Sequence, residues 1–453
     1  MIQRSGVNEI SATKLARIEA KSRQEPSLVF NNLGHIIDED LLRECYRSLD
    51  GSKAVGIDGV TKDAYGKDLE ENLKGLLHRI RKGTYIPKPS RTVEIPKLDG
   101  TTRPLAIGCT EDKIVQSACK CILERIFEPL FLPVSFGFRP GCSPHKALVA
   151  LDGHLKSQNN GAVVDVDLRK AFDTIPHNHL EEMLRRKISD ARFLHLLLKL
   201  IRSEIIGDDD KVRQQSCGVP QGSILSPLLC NIFLHHVVDE WFSEMNAREF
   251  AGFCTLTRFA DDLVFTAPYI ASAEKLHSAL SVRLQAFGMT LHEGKTRVIL
   301  NGKRAATAAA NGGVEVPGFT FLGFLHVWGR SKNRKTGKIF WRVKRRTCPK
   351  RYRVKLALVL EYIKKNRHNK HLLMKMKAVV RGYLNYFAIN DNSKRIAQFV
   401  YEIRKMLFKW LNRRSQKKSF TWGRFNEILK RIEFPVAHIT QDIFFSSSAF
   451  ERK

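Results

Sequence analysis

Four aspartates in two short segments have the types and spacing to hold divalent cations. Phe259-Ala260-Asp261-Asp262 sets two adjacent carboxylates between the apolar-rich runs Leu256-Thr257-Arg258-Phe259 and Leu263-Val264-Phe265. The pattern reads as strand, tight turn, strand, with the acid pair at the tip. Adjacent carboxylates repel each other, so holding both at the edge of a buried hairpin calls for a cation. Upstream, Val163-Val164-Asp165-Val166-Asp167-Leu168 alternates with period two. Val164, Val166 and Leu168 then fall on one face of a strand, and Asp165 and Asp167 on the other. Two strands that bring carboxylates to one place make a hard-oxygen site for Mg²⁺. Two such ions roughly 3.5–4 Å apart clamp both the attacking and the leaving oxygen of a phosphoryl transfer. An Asp-Asp pair alone is also a common solvated turn, so the order of the surrounding elements must carry the reading.

The acidic strands, near 162–168 and 256–266, are separated by helical patterns near 178–203 and 223–246. Strand–helix–strand–strand is the skeleton of a split ferredoxin-like sheet. Ahead of it, Asp38 is placed to cap a helix through Leu41, Leu42 and Tyr46, and a longer helix through Leu69, Leu73, Leu76, Leu77 and Ile80 stops at Gly83. A hairpin is expected from 91–97 and 102–107, turning at Asp99-Gly100. A helix follows through Val115, Ala118, Ile122 and Ile126, then the loop Gly137–Gly141, and Ser143-Pro144 opens the next helix as cap and first-turn proline. The run from Ala305 to Gly313 reads as a flexible loop. Beyond it the pattern is helical and basic, with Leu356, Val359, Leu360 and Ile363 on one face.

At 453 residues the chain is too long for one core, so two or three domains are expected. No run of about eighteen apolar residues occurs, which excludes a spanning helix, and Met1–Ser5 lead into polar sequence rather than a signal-peptide core. The nine cysteines are scattered without a Cys-x-x-Cys pair, as expected for reduced thiols in a cytoplasm. Net charge is +30, and the window from Arg330 to Arg431 holds +28 of it, with 32 Lys and Arg against four acids. A merely soluble surface would intersperse both signs; this one implies a polyanion, with nucleic acid the first choice.

The residues resemble the reverse transcriptases encoded by bacterial group II introns. Ile95-Pro96-Lys97-Leu98-Asp99-Gly100 with Arg103-Pro104-Leu105, and Ser135-Phe136-Gly137-Phe138-Arg139-Pro140-Gly141, are similar to the fingers of that family. Asp165–Asp173, Val219-Pro220-Gln221-Gly222-Ser223 with Leu225-Ser226-Pro227, Phe259–Asp262 and Gly294-Lys295-Thr296 resemble its successive palm motifs. Phe321-Leu322-Gly323-Phe324 resembles the hairpin that grips the primer end. Arg381–Phe387 and Trp410–Ser415 with Thr421-Trp422 are similar to its thumb or maturase region. The resemblance runs from about residue 30 to 440.

That resemblance implies an α+β right-hand polymerase, with a ferredoxin-like antiparallel palm and a helical thumb. The expected division is an N-terminal extension over 1–35, fingers over 36–160, palm over 161–329 and a basic thumb or maturase region over 330–453. Asp167, Asp261 and Asp262 would be catalytic and, with Leu168, would hold two Mg²⁺; Asp165 points the same way but can serve only to shape the field. Lys97, Arg103, Ala171, Phe172, Gln221 and Lys295 would bind the nucleotide, with Phe172 excluding a 2′-hydroxyl or alternatively filling the core. Arg139, Gly222, Leu322 and Gly323 would meet template or primer. Implied partners are an RNA template and primer, dNTPs, a structured intron RNA whose splicing and mobility the protein assists, and a DNA target, with no membrane. The implied location is a bacterial cytoplasm, near the nucleoid when on DNA. Many members of the family continue into an endonuclease with cysteine pairs; beyond residue 330 this sequence has only Cys348, so no such endonuclease is expected. A domesticated relative in antiviral defence or DNA repair, a splicing factor with a dead polymerase and a two-metal nuclease remain as alternatives. The intact acids argue against the second, and the triphosphate-binding fingers against the third.

Overall fold

The computed structural model describes residues 9–444 except 97–101, 158–160, 208–210, 315, 333–335 and 415–419. In chain order the strands are β1 (Ser90–Pro96), β2 (Thr102–Ile107), β3 (Gly161–Asp167), β4 (Ile205–Ile206), β5 (Val212–Arg213), β6 (Thr255–Phe259), β7 (Asp262–Ala267), β8 (Arg297–Asn301), β9 (Phe319–Phe321), β10 (Phe324–Lys332) and β11 (Ile339–Thr347). They form three sheets, ordered β2-β1-β4-β5, β6-β7-β3-β8 and β11-β10-β9. In the central sheet every neighbour is antiparallel. Helices connect β3 to β6, and the helix Ile270–Ala286 connects β7 to β8, giving the split ferredoxin-like order expected from the pattern. The architecture is α+β in right-hand form.

The two faces of this sheet are buried differently, and that difference positions the acids. Val164, Val166, Leu263 and Phe265 enter the large core shared with the helices Thr110–Phe127 and Ser226–Leu234. Val163, Val264 and Ile299 face a second cluster with Leu148 and Leu151 of the helix Pro144–Ser157 and with Phe319, Phe321 and Phe324. Cross-strand partners share a face, so Asp165, Asp167 and Asp262 belong to the second face, at the strand ends. There Asp167 keeps 42% of its side chain exposed.

Local signals explain several boundaries. Asp38 accepts from the Leu41 N–H at 2.9 Å and starts the helix Glu39–Ser48. Ser143 does the same for the Lys146 N–H at 3.2 Å. Gly83, at φ 73°, follows the helix Leu69–Arg81. Strands β1 and β2 pair as expected, while the turn at Asp99-Gly100 lies outside the described residues.

The structure differs from expectation in three places. The run from Ala305 to Gly313 is not a loop: Lys303–Asn311 is a helix ended by Gly312 and Gly313, because alanine is the best helix former and the glycines only stop it. The described part of the 1–35 segment does not stand apart: Leu15 and Ile18 of the helix Glu9–Gln24 are buried in the large core, and the Ser22 hydroxyl donates to the Ile126 carbonyl at 2.6 Å. The boundary expected at 329/330 falls inside β10, whose ladder with β11 is unbroken. The separate helical core, with Tyr352, Ile363, Val380, Phe399, Leu407 and Phe425, begins only after that hairpin. Every described cysteine is a free thiol, and no described helix is long and apolar enough to cross a membrane.

Candidate active site

Asp167 and Asp262 are direct cross-strand partners at the ends of β3 and β7. Phe259 pairs with Asp262, so Ala260 and Asp261 form a two-residue loop between β6 and β7. Ala260 takes φ 55°, a conformation that hairpin loops of this size usually give to glycine. The turn is held from beneath by a side chain that the motif reading passed over. Arg258 is fully buried; its Nε and Nη2 donate to the two oxygens of Asp239 at 2.7 and 2.5 Å, and its Nη1 to the Ala260 carbonyl at 3.2 Å and to Asn231 Oδ1 at 3.0 Å. Asn231 Nδ2 in turn donates to the Gly137 carbonyl at 2.6 Å. Gly137 lies so close behind the turn that a Cβ there would sit 2.3 Å from the Ala260 nitrogen. Strained backbone persists only where its surroundings over-determine it, and here a buried ion pair, an amide and a glycine do so.

Asp239 reaches Arg258 because the helix containing it is irregular. His235–Glu240 form one π-helical turn between the α-helices Ser226–Leu234 and Trp241–Phe250, a local feature that often marks functional segments. The same turn gathers His235 Nε2 and His236 Nδ1 onto Glu240, at 3.3 and 2.6 Å. No periodicity in the sequence signals a π-turn, although Arg258 beside the acid pair was a readable clue.

The acids are crowded, and the basic side chains in ion-pair contact with them reach Asp165 and Asp167. The Asp262 carboxyl is pushed up to about 7, chiefly by burial and also by Asp165 and Asp261, with the Leu322 N–H, 3.5 Å away, and the Arg351 charge offsetting part of the rise. Burial likewise raises Asp261; its own backbone N–H and the Arg103 charge act in the opposite direction, and Asp167 adds to the rise. Asp165 is raised by burial, partly offset by Arg297 at 3.1 Å, with Asp167 adding to the rise. Lys295, exposed, lies 3.2 Å from the half-buried Asp167. Among the described residues no three His, Cys, Asp or Glu side chains converge as a ready-made metal cage. An open pair of carboxylates suits Mg²⁺, which takes one or two from the protein and completes its shell with water and substrate phosphate. Carboxyls raised by burial and mutual repulsion are what a divalent cation would relieve. The donor set therefore fits that ion.

The other expected site residues divide. Arg103 is exposed on β2, opposite Ile95, and near enough to Asp261 to bear on its charge. Lys97 lies outside the described residues. Leu168 is buried just past β3, bridged to Leu291. Ala171 and Phe172 form a short 3-10 turn in which the Phe172 carbonyl accepts from the Val219 N–H at 2.7 Å, and the Phe172 ring is half-buried against the large core. Gln221 donates to Asp173 at 2.7 Å. Gly222, at φ 111°, has no room for a side chain, since a Cβ would meet the Ala106 carbonyl at 2.4 Å; within the chain its close approach is to β2.

Arg139 also requires correction. Its five N–H groups point to both Glu128 oxygens and to the Phe131, Leu132 and Ser135 carbonyls, and its guanidinium lies 5.1 Å from the Phe131 ring centroid. It braces its own loop and has no donor left for a phosphate. Leu322 and Gly323, at φ 50° and 81°, form the two-residue turn between β9 and β10, as a type I′ hairpin requires. The Leu322 carbonyl accepts from the Tyr386 hydroxyl at 2.9 Å, which links the Asp262 end of the sheet to the helical core.

Residues 86–326 match the family described as reverse transcriptase (RNA-dependent DNA polymerase). Residues 350–428 match the group II intron, maturase-specific domain. The chain is 39% identical over 227 residues to protein YkfC of Escherichia coli, covering 49% of this chain and 59% of that protein. It is 34% identical over 227 residues to the group II intron-encoded protein LtrA of Lactococcus lactis, covering 49% and 37%. A putative COX1/OXI3 intron 2 protein of Saccharomyces cerevisiae is 36% identical over 203 residues, covering 44% and 22%. The chain thus spans from about a fifth to three-fifths of the length of these relatives.

Proposed function

Because the chain belongs to the reverse transcriptase (RNA-dependent DNA polymerase) family, we propose that it extends a primer on an RNA template with deoxynucleotides. We further propose that, through its maturase-specific region, it binds structured group II intron RNA and assists splicing and mobility. The observation that carries this reading is the pairing of Asp167 with Asp262 across β3 and β7, with Asp261 in the adjoining turn. Asp167, Asp261 and Asp262, with the Leu168 carbonyl, would hold two Mg²⁺; when bound, such ions neutralise the acids and polarise the attacking and leaving oxygens.

The chain's own groups do the rest of the positioning. Arg103 presents a guanidinium beside Asp261, suited to oxygens of an incoming triphosphate. Lys295 stands beside Asp167, where it can neutralise departing pyrophosphate. Phe172 lies just past the strand that carries Asp167 and can restrict the sugar by bulk. Arg258, Asp239 and Asn231 keep the Ala260-Asp261 turn in place.

The purified chain, given an RNA template, a DNA primer, dNTPs and Mg²⁺, should release one pyrophosphate for each nucleotide added. Strand cleavage without extension would overturn the polymerase reading in favour of a nuclease. Sequencing the RNA that copurifies should recover an intron; recovery of unrelated RNA alone would remove the splicing role.

A further inference from the structure

The hairpin of β10 and β11 carries a surface that the reaction does not use. Its ladder runs from Phe324 opposite Thr347 to Lys332 opposite Ile339. Alternation divides β11 into two rows. Val343, Arg345 and Thr347 are buried, with Arg345 donating to Asp152 of the helix Pro144–Ser157 at 2.5 Å. Arg346, Lys344, Arg342 and Phe340 form the other row: three cations ending in a ring that is 41% exposed. Successive members of such a row are roughly 6.6–6.8 Å apart.

Two cavities meet along this row. One, of about 480 Å³, lies between it and the start of the helix Ser393–Leu411, lined by Arg342, Lys344, Arg346, Lys394 and Arg395. The one acid lining it is Asp391, whose two oxygens are both taken by Arg342. The cations there repel one another: burial lowers the Lys344 ammonium, and Arg342, Arg346 and Lys394 contribute. The second cavity, of about 190 Å³, adjoins the far end of the row from the inward side and is lined by Trp328, Phe340, Trp341 and Val343 with Lys156, Lys303, again Arg342, and Asp152, which pairs with Lys156 and Arg345. It is smaller than the several hundred Å³ of a drug-sized site and suits one planar ring. The Arg330 guanidinium lies 5.3 Å from the Trp341 ring centroid.

Cations at the spacing of an extended chain, with an aromatic pocket at the end, match a nucleic-acid strand whose bases are free. A duplex keeps its bases stacked inside, and an aromatic pocket gains nothing from them; unpaired RNA can splay one out onto a ring. The far end of the row is distant from the acids, although Arg346, opposite Leu325, starts it two residues from the Leu322-Gly323 turn. Arg342 sits opposite Gly329, six residues and about 20 Å along the strand from the Leu322-Gly323 turn.

We propose that β11, the edge strand of its sheet, is a second nucleic-acid site, binding unpaired single-stranded RNA, with Arg346, Lys344 and Lys394 on its phosphates and one base turned over the strand's edge against Phe340 and the Trp328–Trp341 pocket. This rests on the chain's being an RNA-handling polymerase, but the site acts apart from the acidic cleft. It provides a hold on a flexible segment of a structured RNA while the cleft holds template and primer.

The test uses the full chain with its cleft preloaded by a dideoxy-terminated RNA-templated primer and the next dNTP. Anisotropy of a labelled single-stranded oligoribonucleotide then reads the second site. The single strand should still bind, and R346E/K394E should flatten the slope of log K against log salt by about 1.4, near 0.7 for each phosphate that is no longer neutralised. Phe340→Ala should weaken binding roughly 5- to 150-fold, the range for one base stacked on an aromatic ring, and an abasic oligomer should lose that sensitivity. Both variants should retain kcat for extension of a short template–primer, which shows that they fold. Binding unchanged in both variants, or equal competition by duplex RNA of the same length, overturns the site. A wild-type chain that binds the oligomer in this way but extends no primer overturns the polymerase reading and leaves the site standing.

Discussion

A side chain's charge is visible in a sequence, but the use made of that charge is not. Arg139 and Arg258 are both arginines beside family motifs, yet one braces a loop through Glu128 and the other holds a strained turn through Asp239. Asp167 was readable because strand alternation fixes which way a residue faces, and the Asp261-Asp262 pair because apolar runs on both sides mark a hairpin turn. Gly222 was readable as a constrained glycine but not as a neighbour of Ala106, since that approach joins segments over a hundred residues apart. Arg258→Met should cost about 3–5 kcal/mol, because it leaves the buried Asp239 carboxylate without its guanidinium. Pairing it with Asp239→Leu should restore much of that stability but not the extension rate, because the Ala260 carbonyl still lacks its donor; full recovery of rate in the double variant would show that the turn needs no such hold. Phe172→Val should raise kcat/KM for ribonucleotides, since a steric filter acts through bulk. If the ring only fills the core, truncation to alanine will instead destabilise by about 3–5 kcal/mol with the rNTP/dNTP ratio unchanged, and a melting curve beside that ratio decides between them.

At the scale of elements, periodicity did well where one face is buried and poorly elsewhere. The strands carrying the acids, the β1–β2 pair and the caps at Asp38 and Ser143 follow from short-range rules. The Ala305–Gly313 run did not, because a stretch of alanines between glycines fits a loop by composition and a helix by propensity. The π-turn at His235–Glu240 depends on one extra residue in a helix, with tertiary contacts selecting it. Its electrostatics give a test. Hydrogen bonds from His235 and His236 hold the Glu240 carboxyl well below the usual range. Burial alone would lower His235, but Asp239 and Glu240 raise it on balance. A depressed carboxylate stabilises above its unfolded value, near 4.3, and the benefit disappears as pH falls through the folded value. A raised histidine stabilises below about 6.5, and the benefit disappears as pH rises through its folded value. The melting-temperature gap between the wild type and Glu240→Gln should therefore be widest near pH 5–6 and narrow on both sides. A gap constant from pH 3 to 8 would mean that the turn does not depend on this cluster.

In the whole molecule, charge and chemistry occupy different places. The acids sit at one end of the central sheet, while +28 of the +30 net charge lies between Arg330 and Arg431. Composition made that division legible, but it could not place the seam. The sequence suggested a boundary at 329/330, whereas β10 and β11 carry the chain on to Thr347 before the helical core begins. On the proposed function, the chain should lose its chemistry without losing its hold on RNA. Asp261→Asn tests that most directly, with primer extension on an RNA template and RNA affinity measured on the same preparation. Extension should fall to background while affinity for template–primer and structured RNA, measured without Mg²⁺, stays within about threefold of wild type, since the basic surface is untouched. Undiminished extension by the folded variant would remove the paired aspartates from the reaction and contradict the account.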